Sequence, residues 1–349
     1  MAATLCLTTG QVHAQGAGIE WETLNQEAME LYRTGQYERA VTVAQAAVKV
    51  AEQNVGPDHP DVATSLNNLA GFYNTIGDYA KAEPLYKRSL AIREKALGSD
   101  HPDVATNLNN LAGLYNTQSD YAKAEPLYKR SLAILEKALG PDHPDVATSL
   151  NNLADLYYNQ GDYTKAEPLF KHSLAILEKA LGPDHPDVAL NLNNLAKLYR
   201  SQGDCAQAEP LYIRSLAILE KALGPDHPDV ALSLNNLALL YDTQGDYAKA
   251  EPLYKRSLAI WEKALGPDHP HVATSLNNLA GLYNTLGDYA KAESLYKRSL
   301  AILEKALGQN HPNVATTLEN LALLYRATKR SAEAEKLEAR AANIRAIKR

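Results

Sequence analysis

Several residue types are nearly absent from this 349-residue sequence, which holds only 2 Cys, 2 Met, 2 Trp and 2 Phe. Two cysteines cannot build a disulfide scaffold or a cysteine-rich zinc module. No stretch approaches the roughly 18 consecutive apolar residues of a transmembrane helix. Basic residues are outnumbered, with 35 Lys and Arg against 41 Asp and Glu, and the net charge is −6. That balance argues against binding along a nucleic-acid phosphate backbone. A phosphate-cradling glycine loop, an H-E-x-x-H helix and a nucleophile elbow are all missing. What stands out instead is an excess of 20 Tyr and 17 Pro.

The prolines fall into columns. Pro60, Pro102, Pro144, Pro186, Pro228, Pro270 and Pro312 are spaced by 42, and so are Pro84, Pro126, Pro168, Pro210 and Pro252. Pro141, Pro183, Pro225 and Pro267 share that spacing, and Pro57 lies two periods before Pro141. A fixed period of this length marks a repeat architecture. Seven units of 42 residues run from Gly56 to Arg349.

One unit resolves into two helices. Gly56-Pro57-Asp58-His59 is a linker, Pro60 suits a first helical position, and Asp61 complements the helix dipole. Leu66, Leu69, Ala70 and Tyr73 recur at amphipathic-helix spacing. Gly77-Asp78 ends that helix. Ala82, Leu85, Tyr86, Ser89, Leu90 and Ala96 form the stripe of a second helix, in which Pro84 near the start predicts a slight bend. Helices of about 16–18 residues are expected. The tyrosines keep the same register: the Tyr73, Tyr79 and Tyr86 columns read as repeated core packing with an outward hydroxyl. Glu94 and its lysine neighbours recur as surface charge pairs one helical turn apart.

The pattern Leu66-x-x-Leu69-Ala70-x-x-Tyr73, then Gly77-Asp78-Tyr79-x-x-Ala82-x-x-x-Tyr86, resembles the tetratricopeptide repeat. The 42-residue period, the LNNLA core and the linker GPDHPDVA resemble its kinesin light chain subclass. Residues 22–55 resemble a divergent first unit that keeps Tyr32, Gly35-Gln36-Tyr37 and Ala40. The last unit replaces the Gly-Asp-Tyr turn with Lys329-Arg330-Ser331. The resemblance implies an all-α, right-handed solenoid of about eight helix-turn-helix units over residues 21–349. Its end units are atypical, and the last one is a basic cap. From Arg326 onward there are eight basic and three acidic residues, a net of +5 that leaves −11 on the rest. That cap reads as a solvated end, with a patch for an acidic partner as the alternative.

The resemblance also implies where binding occurs: a concave groove lined by first helices, holding an extended peptide or a partner helix. The candidate groove residues are the pairs Asn67/Asn68, Asn109/Asn110, Asn151/Asn152, Asn193/Asn194, Asn235/Asn236 and Asn277/Asn278, followed by Glu319/Asn320. An Asn side chain offers both donors and an acceptor to a peptide main chain. Each pair reads as divided, one Asn tying neighbouring helices and the other facing the groove. Against near-identical repeats the exceptions stand out: Asp155, Tyr158 and Asn159, then Lys197, Arg200 and Ser201, then Leu239 and Asp242. They read as specificity residues, with Lys197 and Arg200 facing an acidic group, or as drift among duplicated units. Family members that clamp terminal carboxylates carry Lys in the Asn67 column, where this sequence has Asn or Glu. No sustained heptad pattern precedes the repeats, so only the groove function carries over from the kinesin light chains.

The histidines His59, His101, His143, His185, His227, His269 and His311 occupy one linker column. Copies a whole repeat apart cannot converge on one ion, so linker packing or capping is expected of them. Cys205 replaces a column tyrosine and reads as a tolerated substitution or an exposed thiol. No catalytic residue, metal or cofactor is expected. Residues 1–20 form a leader or signal-peptide remnant expected to be disordered. Val12-His13-Ala14 resembles a cleavage site, which leans the expectation to export over the cytoplasm. The functional expectation is a non-enzymatic scaffold that binds another protein or peptide, with no nucleic acid and no membrane span. A monomer is expected, with end-to-end self-association as the alternative. The rival reading is a structural spacer that contacts partners through its ends or convex face.

Overall fold

The computed structural model describes residues 9–347, with side chains from residue 20 onward. The first eight residues of the expected leader, with Cys6, lie outside the described residues, as do Lys348, Arg349 and the side chains around Val12. Sixteen α-helices and no strand occur among the described residues. They are α1 (Thr9–Arg33), α2 (Tyr37–Val55), α3 (Pro60–Thr75), α4 (Tyr79–Leu97), α5 (Pro102–Thr117), α6 (Tyr121–Leu139), α7 (Pro144–Asn159) and α8 (Tyr163–Leu181). Then follow α9 (Pro186–Ser201), α10 (Cys205–Leu223), α11 (Pro228–Thr243), α12 (Tyr247–Leu265), α13 (Pro270–Thr285), α14 (Tyr289–Leu307), α15 (Pro312–Ala327) and α16 (Ser331–Ile347). Odd and even helices pair into eight hairpins, the all-α repeat architecture read from the 42-residue period. Helix α1 takes in residues 9–20 of the stretch read as a leader. The chain divides into two compact units, Met1–Ile134 and Leu135–Arg349.

Local chemistry explains the joints of a typical hairpin. In unit 1 the turn after α3 is a Schellman closure: the Gly77 N–H donates to the Asn74 carbonyl at 3.0 Å and the Asp78 N–H to the Tyr73 carbonyl at 2.8 Å. Gly77 supplies the positive φ of 75° that this closure needs. Asp78 then caps α4, its carboxylate accepting from the Lys81 N–H at 3.3 Å. One aspartate therefore closes one helix and opens the next. Pro84 sits in the second turn of α4, and the helix runs on through it to Leu97. At the other joint His101 caps α5: its Nδ1 accepts from the Asp103 N–H at 3.1 Å, and Pro102 takes the first helical position. The linker histidines are helix caps, which is what recurs with them once per unit.

The core of each hairpin is made of small residues facing large ones. Ala63, Ala70 and Ala82 have no exposed surface, and Leu66, Tyr73 and Tyr86 fill the space beside them. The close approach lets the buried Ser89 hydroxyl donate to the Ala63 carbonyl at 2.6 Å. Unit 2 repeats this with Ser173 to Ala147, Ser215 to Ala189 and Ser257 to Ala231, each at 2.7 Å. The tyrosine columns have different fates. The Tyr199, Tyr241, Tyr283 and Tyr325 hydroxyls donate to Glu167, Glu209, Glu251 and Glu293 of the preceding hairpin, at 2.7–3.0 Å. The Tyr212 and Tyr254 rings are wholly buried. The Tyr79 column departs from the core expectation, because these residues open the second helices and stay partly exposed.

The last hairpin is tied down by its basic residues. Arg330 bridges Glu293 at 2.7 Å and Glu333 at 2.6 Å, and stacks on Tyr325 with 3.8 Å to the ring centroid. Arg326 pairs with Glu338, Arg340 with Glu304 and Arg345 with Glu319. All four described arginines from Arg326 onward are thus matched to acids.

Two outcomes are expected. Gly182 ends α8 at φ 89° and ψ 155°, a glycine-only region, and a Cβ there would meet nothing within 4 Å. Gly182→Ala should therefore cost roughly 1–3 kcal/mol through backbone strain alone. A denaturant midpoint unchanged from wild type would refute this. The second outcome concerns acid. The Arg330 guanidinium, then Lys297 and the Tyr325 hydroxyl, hold the Glu293 carboxyl down at about 2, against 4.5 in a free chain. This depressed group stabilises the fold above its unfolded value, and the contribution is lost as pH falls from about 4.5 to about 2. Hydrogen exchange in α15 and α16 should rise over that window in wild type, and less steeply in Glu293→Gln.

Candidate functional site

The paired asparagines sit half-buried on the first helices, except Asn193 and Asn235, which are buried, and they hydrogen-bond from hairpin to hairpin. In unit 1, Asn110 Nδ2 donates to Asn67 Oδ1 at 3.0 Å. In unit 2, Asn194 donates to Asn151 at 3.1 Å, Asn278 to Asn235 at 3.0 Å and Asn320 to Asn277 at 3.3 Å. The second Asn of one hairpin thus reaches back to the first Asn of the previous one. Each bond uses one amide atom from each column. Asn193 breaks the pattern: it is 3% exposed and donates inside its own hairpin to Ser215 Oγ at 2.6 Å. Asn68, Asn109, Asn152 and Asn236 lie half-buried in the same two columns of α3, α5, α7 and α11.

The exceptional residues of unit 2 cluster. Lys197 Nζ lies 3.4 Å from Asp155 Oδ1 and 4.1 Å from the centroid of the Tyr158 ring. The Tyr158 hydroxyl and Ser201 Oγ share a hydrogen bond at 2.8 Å, and Asn159 Nδ2 donates to Asp155 Oδ2 at 3.1 Å. The Lys197 ammonium is therefore matched within the fold to a carboxylate and a ring face. Arg200 and Asp242 belong to a neighbouring group around buried tyrosines. The Tyr254 hydroxyl lies 3.5 Å from Asp242 Oδ2, and desolvation raises the Asp242 pKa. Burial pushes Tyr212 up to about 12, opposed by the positive charge of Arg200. Asp155, Tyr158, Lys197, Arg200 and Asp242 thus occupy consecutive first helices α7, α9 and α11.

A feature absent from the sequence reading lies beside this row. A cavity of about 250 Å³ opens between Thr148 and Asn151 of α7, Ser173 and Leu177 of α8, and Asp187, Leu190, Asn191 and Asn194 of α9. Two columns vary around it. The Leu177 position is also leucine at Leu135, Leu219 and Leu303, but Arg93 in α4, Trp261 in α12 and Arg345 in α16. Arg93 fills its counterpart with a guanidinium that donates to Thr64 Oγ1 and to the Asp103 carbonyl, both at 3.1 Å. Trp261 covers its counterpart by stacking on His271 at 4.5 Å between centroids. The Asn191 position is Ser149, Ser233 or Ser275 in other hairpins of unit 2. The Arg-to-Leu and Ser-to-Asn changes were readable in the sequence, but their adjacency needed the fold.

Among the described residues no group of three or more His, Cys, Asp or Glu is placed to hold a metal ion. No helix among them is long and apolar enough to cross a membrane. Cys205 opens α10 as a free, half-exposed thiol.

The hairpin geometry, the Gly-Asp turns and the stacked amides define a helical-repeat scaffold. The chain belongs to the tetratricopeptide repeat family, whose model matches residues 22–95, 61–137, 103–179, 145–221, 188–263, 243–305 and 272–346. Its repeats are of the kinesin light chain-like kind. It is similar to a Podosopora anserina protein described as having the nearly identical repeats of a kinesin light chain. Identity there is 30%, covering 59% of this chain and 97% of that one, with a TM-score of 0.49. BtubC from P. vanneervenii is 26% identical over 74% of this chain and 93% of its own, with a TM-score of 0.50. A Rap protein solved with Competence and Sporulation Factor shares the fold, at a TM-score of 0.58 and 15% identity over 96% of this chain and all of that one. No curated protein matches the chain.

The amide ladder carries an expected outcome. Asn278→Ala removes a half-buried donor from Asn235 and should cost about 1 kcal/mol of stability. A double-mutant cycle with Asn235→Ala checks it. A coupling indistinguishable from zero would mean the pair contributes nothing.

Proposed function

We propose that the chain is a non-enzymatic adaptor that holds an extended peptide or helical segment of another protein against its first-helix faces. A tetratricopeptide scaffold fits a protein–protein interaction role, and such proteins are generally not catalysts. The observation that supports the finer reading is the set of carboxamides bonded hairpin to hairpin within each unit. A primary amide has two donor protons and two acceptor lone pairs, so one bond per atom leaves capacity for a peptide main chain. Regular spacing along the row suits a ligand with a regular backbone. The Asp155, Tyr158, Lys197, Arg200 and Asp242 groups interrupt that regularity and would select among partners. Because Lys197 is already matched to Asp155, Arg200 is the freer of the two cations to meet an acidic group.

The spacer reading draws on the outer helices, where Lys171 pairs with Glu167, Arg214 with Glu178 and Lys221 with Asp184. A surface of matched exposed charges supplies little binding energy, so the first-helix face is preferred. Photo-crosslinkers at Asn152, Lys197 and Asn236 should capture a co-purifying partner, and one at Lys87 should not. Lys197→Ala combined with Arg200→Ala should weaken that partner about tenfold, equivalent to roughly 1.4 kcal/mol, and flatten its salt dependence. Capture only at Lys87, with affinity unchanged in the double variant, would return the spacer reading.

A further inference from the structure

The cavity between α7, α8 and α9 is lined by hydroxyls, carboxamides, two leucines and a single charged group, the Asp187 carboxylate. Its hydroxyl protons are committed inside the fold: Thr148 Oγ1 donates to the Pro144 carbonyl at 3.2 Å and Ser173 Oγ to the Ala147 carbonyl at 2.7 Å. With its proton so placed, Ser173 Oγ can only accept from its other neighbour. Asn191 Nδ2 donates to it at 2.6 Å, which fixes the orientation of the Asn191 amide. Asn191 is 3% exposed, and its Oδ1 has no hydrogen-bond partner among the described residues. Asn194 Nδ2 gives one of its two protons to Asn151 Oδ1. Asp187 is the one charged residue among those lining the cavity, so the cavity's formal charge is negative.

That carboxylate is not neutralised by its nearest basic neighbour. His185 Nδ1 lies 3.6 Å from Asp187 Oδ2, but the same nitrogen accepts the Asp187 N–H at 3.2 Å. A nitrogen that accepts a hydrogen bond carries no proton, so it brings no charge to the pair. The remaining walls are the side chains of Leu177 and Leu190. Two leucines and one carboxylate among the lining residues match an aliphatic stem that ends in a cation.

The chain itself shows which cation fits. In the counterpart cavity of unit 1, Arg93 places its guanidinium against Thr64 Oγ1 and the Asp103 carbonyl, positions equivalent to Thr148 and Asp187. In the last hairpin Arg345 donates to Thr316 Oγ1 at 2.9 Å and to Glu319 at 2.9 Å, equivalents of Thr148 and Asn151. Leu177 stands where those arginines stand, as do Leu135, Leu219 and Leu303, and a leucine brings no guanidinium of its own to the site. We infer that the cavity receives an arginine side chain of the bound partner, its stem against Leu177 and Leu190 and its guanidinium against Thr148, Asp187 and Asn191. The inference rests on the first-helix face as the binding face and names one subsite on it. It also gives that face a preference of opposite sign to the one at Arg200, so a partner with both acidic and basic side chains is oriented along the row.

The test uses the full chain and a defined probe, acetyl-arginine amide, with the uncharged citrulline analogue as control. Methyl NMR signals of Leu177 and Leu190 should shift with the arginine probe and stay in place with citrulline. Asp187→Asn should weaken the probe about tenfold, as expected for losing a charged contact of roughly 1.4 kcal/mol. Leu177→Arg supplies the chain's own guanidinium, as at Arg93, and should abolish binding. Equal shifts with citrulline, no shift with either probe, or a titration unaffected by Asp187→Asn would each overturn the inference. A partner that cross-links at Asn236 but binds Asp187→Asn unchanged removes this subsite and leaves the binding face standing. Probe binding that depends on Asp187, in a chain whose partner cross-links only at Lys87, does the reverse.

Discussion

The close approach of the two helices within a hairpin is the contact on which everything else rests. Columns of fully buried alanine, such as Ala63, Ala70 and Ala82, bring the backbones near enough for Ser89 Oγ to reach the Ala63 carbonyl. A larger side chain in any of these columns would push the helices apart and break that bond. Only at this separation can Tyr86 and its equivalents lie flat in the core. The pairs then present a regular set of ridges to the next hairpin. Stacking buries what a lone hairpin would leave exposed, so stability is shared between neighbours rather than owned by one unit.

Onto this packing the chain adds polar ties with directional geometry. Tyrosine hydroxyls reach back to glutamates, asparagines reach back to asparagines, and last-turn lysines such as Lys221 of α10 hold linker aspartates such as Asp184 at 2.5 Å. The exposed ion pairs contribute little energy singly. The half-buried amides matter more, because they set register between first helices and also form the face offered to a partner. Structure and binding therefore draw on the same atoms, which is why neither role could be separated by reading the pairs alone.

Much of the architecture could be read in advance. The proline columns marked helix starts at Pro60 and its equivalents, and Gly77-Asp78 marked the turn. Both are local devices whose chemistry is complete within a few residues. The sequence reading gave one run of repeats, whereas the described structure clusters into two compact units. The Tyr79 column looked like core by its recurrence, yet it opens the second helices at the surface, because a period alone does not say which way a side chain faces. The cavity was out of reach for a different reason. It depends on Leu177 and Asn191 lying next to each other, although they are on different helices, and on a serine proton whose direction only the fold reveals. The candidate binding columns were visible as repeats, while their bonds to one another were not.

The linker geometry has a consequence for how such a chain can change over time. Gly98, Gly182, Gly224, Gly266 and Gly308 share φ between 83° and 89°, and each is followed by a histidine cap and a proline start. Because these joints are alike, an unequal genetic exchange that inserts or removes one 42-residue unit joins surfaces already known to fit. No new interface has to be invented when the length of the array changes. What such an exchange would alter is the order of the exceptional residues at Asp155, Lys197 and Asp242, so recombination could shuffle partner preference while leaving the packing untouched.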